Sequence, residues 1–332
     1  MIISRAPVRI SFFGGGTDYP EHFLNHGGAV LATAIDKYSY VTASTFQSHL
    51  FDYSVRVSYR KVELVKRLDE IEHKVFRACL RLCGLDRDIE LHNVADLPSF
   101  TGLGSSSTFT VSLLQALHSF KHESLDPLQL GYEAIHVERG LLEESVGCQD
   151  QILAAVGGFN LIEFRKENDI DVHRIPITSE RLAEFEKHLL VVFTGIKRKA
   201  TDIASAQLKR KDQNLATLLQ MRKMVDQGYE ILTGSKSLVQ FGELLHKSWE
   251  AKKSLENGIS NGQIDDLYDC ARQNGAWGGK LLGAGGGGFL LLFAPPEKHA
   301  QIKKNIPNNY FLQIKTNAPG VETIFSTSED AT

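Results

Sequence analysis

Apolar positions alternate with polar ones at the start of the chain, where Ile3, Val8, Ile10 and Phe12 mark a strand over residues 1–13. Residues 28–47, rich in Val, Ile, Thr and Tyr, predict a second strand, and "GGGTDYPEHFLNHGG" between them predicts a glycine-opened loop with a helical turn. Alternation resumes over 51–66. Asp69 is then placed to cap a helix that runs to about Cys83, with Glu72 near a capping-box position and Ile71, Val75, Cys79 and Leu82 as the apolar stripe. "DIELHNV" predicts a short strand. "SFTGLGSSST" (99–108) follows and leads into a helix ending near His118. "LDPLQL" starts another helix, with Asp126 as cap and Pro127 in the first turn. "GGFNLIEF" predicts a strand.

A boundary is expected near 175–190, dividing the chain into 1–185 and 186–332. "HLLVVFTG" opens the second set as a strand. Helices are expected at about 198–226, 235–256 and 263–274, the first of them long and polar. "GAWGGKLLGAGGGGFLLLF" predicts a glycine-rich turn running into a buried strand, and a last helix and strand close the chain. Strands and helices mix without a regular βαβ rhythm, so the expected class is α+β, not a doubly wound parallel sheet.

Composition narrows the function classes. The 332 residues are 42% hydrophobic and 23% charged with a net charge of −3. That is enough chain for a full core and gives no basic excess for nucleic acid or an anionic membrane. There is no run of 18 apolar residues and no signal-peptide pattern at the start, so a cytoplasmic protein is expected. Cys79, Cys83, Cys148 and Cys270 form no CxxC pair and are expected to be reduced, the first two on an apolar helix face. Oligomeric state is left open.

Three glycine-rich stretches carry the chemistry. In the 99–108 stretch, Gly102 and Gly104 permit close backbone approach, Ser105, Ser106 and Ser107 supply hydroxyls, and the following helix offers unpaired N–H groups and a positive dipole end. Such a loop is either an anion site, most often for a polyphosphate, or a serine-capped turn. It is not a GxxxxGK[ST] loop, the chain has no HRD or DFG, and "GGGTD" at 14–18 lacks the GxGxxG pattern. The "GAGGGG" at 283–288 needs a bare backbone, for a ligand or for a closely crossing chain.

Taken in order, "APVRISFFGGGTDY" (6–19), "PSFTGLGSSST" (98–108) and "GGKLLGAGGGGF" (278–289) resemble the three motifs of the GHMP kinase superfamily over nearly the whole chain. The resemblance implies a ribosomal-protein-S5-like N-terminal half and a ferredoxin-like C-terminal half, with ATP and Mg²⁺ as cofactors. It implies that Gly102, Leu103, Gly104 and Ser105 to Ser107 wrap the ATP phosphates. Ser106 and Glu138 would hold Mg²⁺, which prefers hard oxygen ligands. "VGCQDQILAAVGG" (146–158) is similar to the galactokinase segment that carries the base, which makes Asp150 the candidate base, twelve positions after Glu138. Arg9 would lie beside it and the reacting oxygen. Without the resemblance, Glu138 is a solvated helix residue, Asp150 a helix cap and Arg9 a surface ion pair.

The substrate clue lies in Gly14, Gly15, Gly16, Thr17 and Asp18, where galactokinases have Gly-Glu-His-Thr-Asp. Asp18 is retained for sugar hydroxyls, while two side chains that read the sugar are absent. This version resembles the sugar-1-kinase branch acting on a heptose 7-phosphate or on fucose. The implied reaction is ATP-dependent phosphorylation of the anomeric hydroxyl to a 1,7-bisphosphate. Arg198, between Lys197 and Lys199, is the expected partner of the 7-phosphate, and Gly285 and Gly286 are expected to line the substrate site. The rivals are another GHMP small-molecule kinase, such as a free-sugar 1-kinase, and a sensor that binds sugar and ATP without turnover.

Overall fold

The computed structural model describes the chain except residues 100, 167–168, 197–205, 207–208, 211, 307–309 and 328–332. Two long strands organise the first half. β1 (Ile2–Phe13) and β2 (Gly28–Thr45) pair antiparallel from Ile2 opposite Ala43 to Phe13 opposite Leu31, and the short helix α1 (Pro20–His26) lies between them. The register breaks between Pro7 and Arg9, and β1 is buried continuously from Ala6 onward, without the alternation the sequence predicts.

The alternating stretch after β2 folds as a hairpin of β3 (Val55–Ser58) and β4 (Val62–Val65). The next helix, α2 (Lys74–Leu82), starts later than the sequence predicts. Asp69 sits in a 3₁₀ turn, and the cap position is His73, whose side chain makes no capping bond. Glu63 of β4 accepts instead from the Glu72 and His73 N–H groups at 2.6 and 3.3 Å. A carboxylate from a neighbouring strand thus satisfies the helix start, which no local pattern shows. Leu82 is 37% exposed, and Phe76, Leu80 and Cys83 are buried alongside Val75 and Cys79.

β5 (Ile89–Ala95), α3 (Ser105–Phe120) and α4 (Pro127–Ile135) follow as expected. Asp126 caps α4 by accepting from Leu128 N–H at 2.8 Å, and Gln129 returns the bond to complete a capping box. A π-helical turn (His136–Leu141) continues α4. Then come α5 (Gln149–Val156), β6 (Phe159–Lys166), β7 (Asp169–Arg174), α6 (Ser179–Lys187) and β8 (Leu189–Phe193). The helix expected at 198–226 is described as α7 (Leu215–Thr233), and residues 198–205 lie outside the described residues. α8 (Leu238–Lys253), α9 (Gly262–Gln273), β9 (Gly278–Leu281), β10 (Phe289–Phe293), α10 (His299–Asn305), β11 (Phe311–Leu312) and β12 (Glu322–Ser326) complete the order.

Two sheets result. The first has eight strands on a β12-β1-β2-β5-β3-β4 path with β6 and β7 added at β2, and only its β3–β5 pair is parallel. The second is the antiparallel β11-β8-β10-β9. This is the α+β class. The last strand returns to β1, so the residues after 320 belong to the first sheet although they follow the second in sequence. Phe12, Phe159, Phe185, Phe241 and Phe293 form one aromatic cluster with neighbouring centroids 5.0–5.7 Å apart, joining both sheets through a shared core. Asp126→Ala should remove the α4 cap, cost about 1 kcal/mol and lower the midpoint of thermal unfolding by a few degrees, read by calorimetry.

Candidate active site

A cavity of about 500 Å³ opens where β1, the 15–19 loop, the start of α3 and the 144–150 segment meet α8 and β9. Its geometry centres on Arg9. This residue is 5% exposed, and its Nε and Nη2 donate to the two oxygens of Asp150, each at 2.8 Å. The third contact is Nη1 to the Gly102 carbonyl at 2.8 Å, and the Arg9 N–H donates to Leu103 O at 3.1 Å. One guanidinium therefore fixes a carboxylate on α5 and the loop before α3 together. Bidentate Arg–carboxylate pairs are among the most geometrically specific contacts available.

The glycines permit this convergence. Gly104 sits at φ +78, and a Cβ there would meet Asp150 Oδ2 at 3.0 Å. Gly102 is at φ +80, and its Cβ would meet the Leu282 carbonyl at 2.4 Å. Of the two explanations open for the 283–288 stretch, the crossing chain is present: Gly283 packs on Gly102, and Gly288 on the Thr101 carbonyl. α3 starts after Gly104 without a side-chain cap, and Ser105, Ser106 and Ser107 of its first turn line the cavity.

Asp18 ties the 14–18 turn to α5. It is 1% exposed and accepts from Gly16 N–H at 2.9 Å and Gln149 Nε2 at 3.0 Å. Burial pushes its carboxyl pKa up, and the nearby Asp150 adds to that. Gly147 is bare for the same reason, since a Cβ there would strike Asp18.

Glu138, in the π-helical turn, is 1% exposed. It accepts from Ser107 at 2.8 Å, Thr110 at 2.7 Å and Gln151 at 2.5 Å, and no cation pairs with it among the described residues. Burial raises its pKa to about 7 against the pull of these three donors. The donor set fits a hard divalent cation: an uncompensated carboxylate, adjacent serine hydroxyls and a buried Ser105 hydroxyl without a partner.

The expected residues divide clearly. Arg9, Gly15, Gly16, Asp18, Gly102, Gly104, Ser105 to Ser107 and Asp150 line the cavity together. Gly14 and Thr17 lie behind it instead: the Thr17 hydroxyl donates to the Gly14 and Ala29 carbonyls and shapes the turn. Leu103 is fully buried and contributes its carbonyl. Ser107, not Ser106, binds Glu138, and Ser106 stands exposed. Gly285 and Gly286 pack on Ile259 and do not line the cavity; Gly283 and Ala284 do. Lys197, Arg198 and Lys199 lie outside the described residues.

Sequence reasoning missed Gln149, Gln151, Lys252 and Lys280. Lys280 had a signal, a lysine inside the apolar run "GGKLL", whereas Lys252 in "WEAKK" looks like any exposed helix charge. Both are buried, at 6% and 2% exposure.

Residues 63–158 match the GHMP kinases N terminal domain and residues 230–311 the GHMP kinases C terminal domain. The chain belongs to the GHMP kinase family and is an ATP-dependent phosphotransferase. It is 29% identical to the D-glycero-alpha-D-manno-heptose 7-phosphate kinase of Campylobacter jejuni, over 91% of this chain and 92% of that protein. Its 26% identity to the L-fucokinase/L-fucose-1-P guanylyltransferase of Bacteroides fragilis spans 93% of this chain and 36% of that protein. A D-glycero-D-manno-heptose 1-phosphate kinase from Bacteroides thetaiotaomicron has the same fold, with a TM-score of 0.80 at 22% identity over 99% of this chain and 100% of that one. So does Lactococcus lactis galactokinase complexed with galactose, with a TM-score of 0.74 at 16% identity over 97% and 95%. No helix among the described residues is long and apolar enough to cross a membrane.

Folded Glu138 holds its proton to about pH 7, while the unfolded chain releases it near 4.5. The folded state therefore binds more protons in that window, so its stability falls as pH rises through it and levels off above. Glu138→Gln should flatten this dependence and raise stability at pH 8 by roughly 3 kcal/mol at most, measured by denaturant unfolding of both forms across pH 4 to 8. Gly104→Ala forces a Cβ onto Asp150 at positive φ and should cut turnover by about tenfold or more, read in a steady-state assay.

Proposed function

We propose that the chain transfers the γ-phosphoryl group of ATP to the anomeric hydroxyl of D-glycero-D-manno-heptose 7-phosphate, giving the 1,7-bisphosphate. The observation that carries this reading is the Arg9–Asp150 pair, which faces the same cavity as the uncapped start of α3 and the sugar-side carboxylate Asp18. Heptose phosphates are named for two of the similar proteins, although one name puts the phosphate at position 7 and the other at position 1. The C1 hydroxyl is free only in the first.

Asp150 is the candidate base. Its carboxylate accepts the C1 hydroxyl proton as that oxygen bonds to the γ-phosphorus and the bond to the ADP oxygen breaks. Arg9 aims the carboxylate and, through Gly102, fixes its place relative to the phosphate loop. The α3 N–H groups and Ser105 to Ser107 bind the nucleotide phosphates. Asp18 accepts from sugar hydroxyls, and Gly15 and Gly16 leave room for a seven-carbon substrate. Ser106, Ser107 and Glu138 would hold Mg²⁺, which when bound neutralises charge on the phosphates.

Asp150→Asn should lower turnover by about a thousandfold and leave ATP affinity within about twofold, read by ADP release and by calorimetric titration. Full activity in that variant would remove the base. ADP release on a panel of heptose 7-phosphate, mannose 6-phosphate, mannose, fucose, galactose, mevalonate and homoserine tests the substrate. Turnover confined to phosphorylated sugars is expected; turnover of a free sugar would replace the heptose phosphate by that sugar.

A further inference from the structure

Two lysines face the cavity with no carboxylate bonded to either among the described residues. Lys280 donates from Nζ to the Phe12 carbonyl at 3.0 Å. Lys252 donates to the carbonyls of Leu281 and Gly283. Every one of these acceptors is neutral. A lysine ammonium has three donors, so Lys280 has two unspent and Lys252 one. Of the nearby charges, Arg9 repels both and they repel each other, while Asp18 attracts both without a hydrogen bond to either among the described residues. Asp150 is already taken by Arg9 on both oxygens.

We propose that Lys252 and Lys280 form an anion site that takes a phosphate group beside Asp18, its guest being the phosphate that the sugar substrate itself carries.

The physical case is one of unmet cost. Burying a cation without an ion partner is expensive, and two side by side are worse. Such an arrangement in a well-packed fold is characteristic of a functional site that a ligand completes. Desolvation lowers the Lys252 pKa to about 8 and that of Lys280 well below its ordinary value. A phosphate oxygen on the free donors would reverse that penalty for both. Position supports the substrate as source, because Phe12 leads directly into the 14–18 turn that presents Gly15, Gly16 and Asp18. The pair also stands independently of the basic run at 197–199. The guest's identity rests on the function proposed above; the anion site does not.

Calorimetric titration of the full chain would use inorganic phosphate, heptose 7-phosphate, the unphosphorylated heptose and a non-hydrolysable ATP analogue. Wild type is compared with Lys252→Met and Lys280→Met. Both variants should weaken inorganic phosphate and heptose 7-phosphate by about tenfold or more and leave the free heptose and the ATP analogue within about twofold. Lys252→Arg, which keeps the charge, should retain phosphate binding. Thermal unfolding without ligand should not weaken in the Met variants, because a desolvated cation has been removed. A loss confined to the ATP analogue would assign the anion site to the nucleotide. Phosphate binding lost in the variants, with wild type indifferent to the 7-phosphate, would remove the heptose phosphate as guest and keep the site. Unchanged phosphate binding in both variants, or a fall in ligand-free stability with binding intact, would overturn the proposal and leave the lysines as struts between α8, β1, β9 and the turn at Gly283.

Discussion

The Arg9 guanidinium is the contact on which the site depends. It comes from β1, whose register breaks just before it, and it reaches both Asp150 on α5 and the Gly102 carbonyl in the loop before α3. Removing it would free three elements at once. The geometry also explains why the loop must be glycine-rich. At Gly104, at φ +78, a Cβ would press on Asp150 at 3.0 Å, and at Gly102 the crossing Leu282–Gly283 backbone leaves no room for one. Bare backbone here allows packing density as well as ligand approach.

Asp18 and Asp150 line the cavity, and Glu138 lies outside its lining, bonded to Ser107, which does line it. Glu138 is fully buried under hydroxyl and amide donors, and burial alone dominates its titration. Asp18 is buried among backbone and amide donors, and Asp150 is held by an arginine. Three carboxylates in one region thus sit in three environments, which is how one site assigns different tasks to similar groups. The two buried lysines add positive charge to the same space without a bonded counter-ion among the described residues. An anionic phosphate chemistry is what such a field favours.

The two halves are one structure. The aromatic cluster at Phe12, Phe185, Phe241 and Phe293 bonds the sheets, and β12 returns to the edge of β1. The cavity lies along that seam, so its wall is built from β1 and from β9 alike. The loops that line the cavity are thus backed by strands on both sides.

Local patterns were sufficient for much of this. Alternation placed β1, the richness in Val, Ile, Thr and Tyr placed β2, Asp126 and Pro127 placed the start of α4, and the three glycine stretches with Arg9, Asp18 and Asp150 marked residues that the fold brings to one cavity. These are short-range signals, in which side-chain period, capping and backbone freedom act within a few positions. Contacts between distant segments were not legible. The capping of α2 by Glu63, the choice of Ser107 over Ser106 at Glu138, the retreat of Gly14 and Thr17 behind the wall and the burial of Lys252 all depend on which segments meet. A lysine is the same lysine in solvent or in a core; only the packing around it decides whether its charge is spent on water or kept for a ligand.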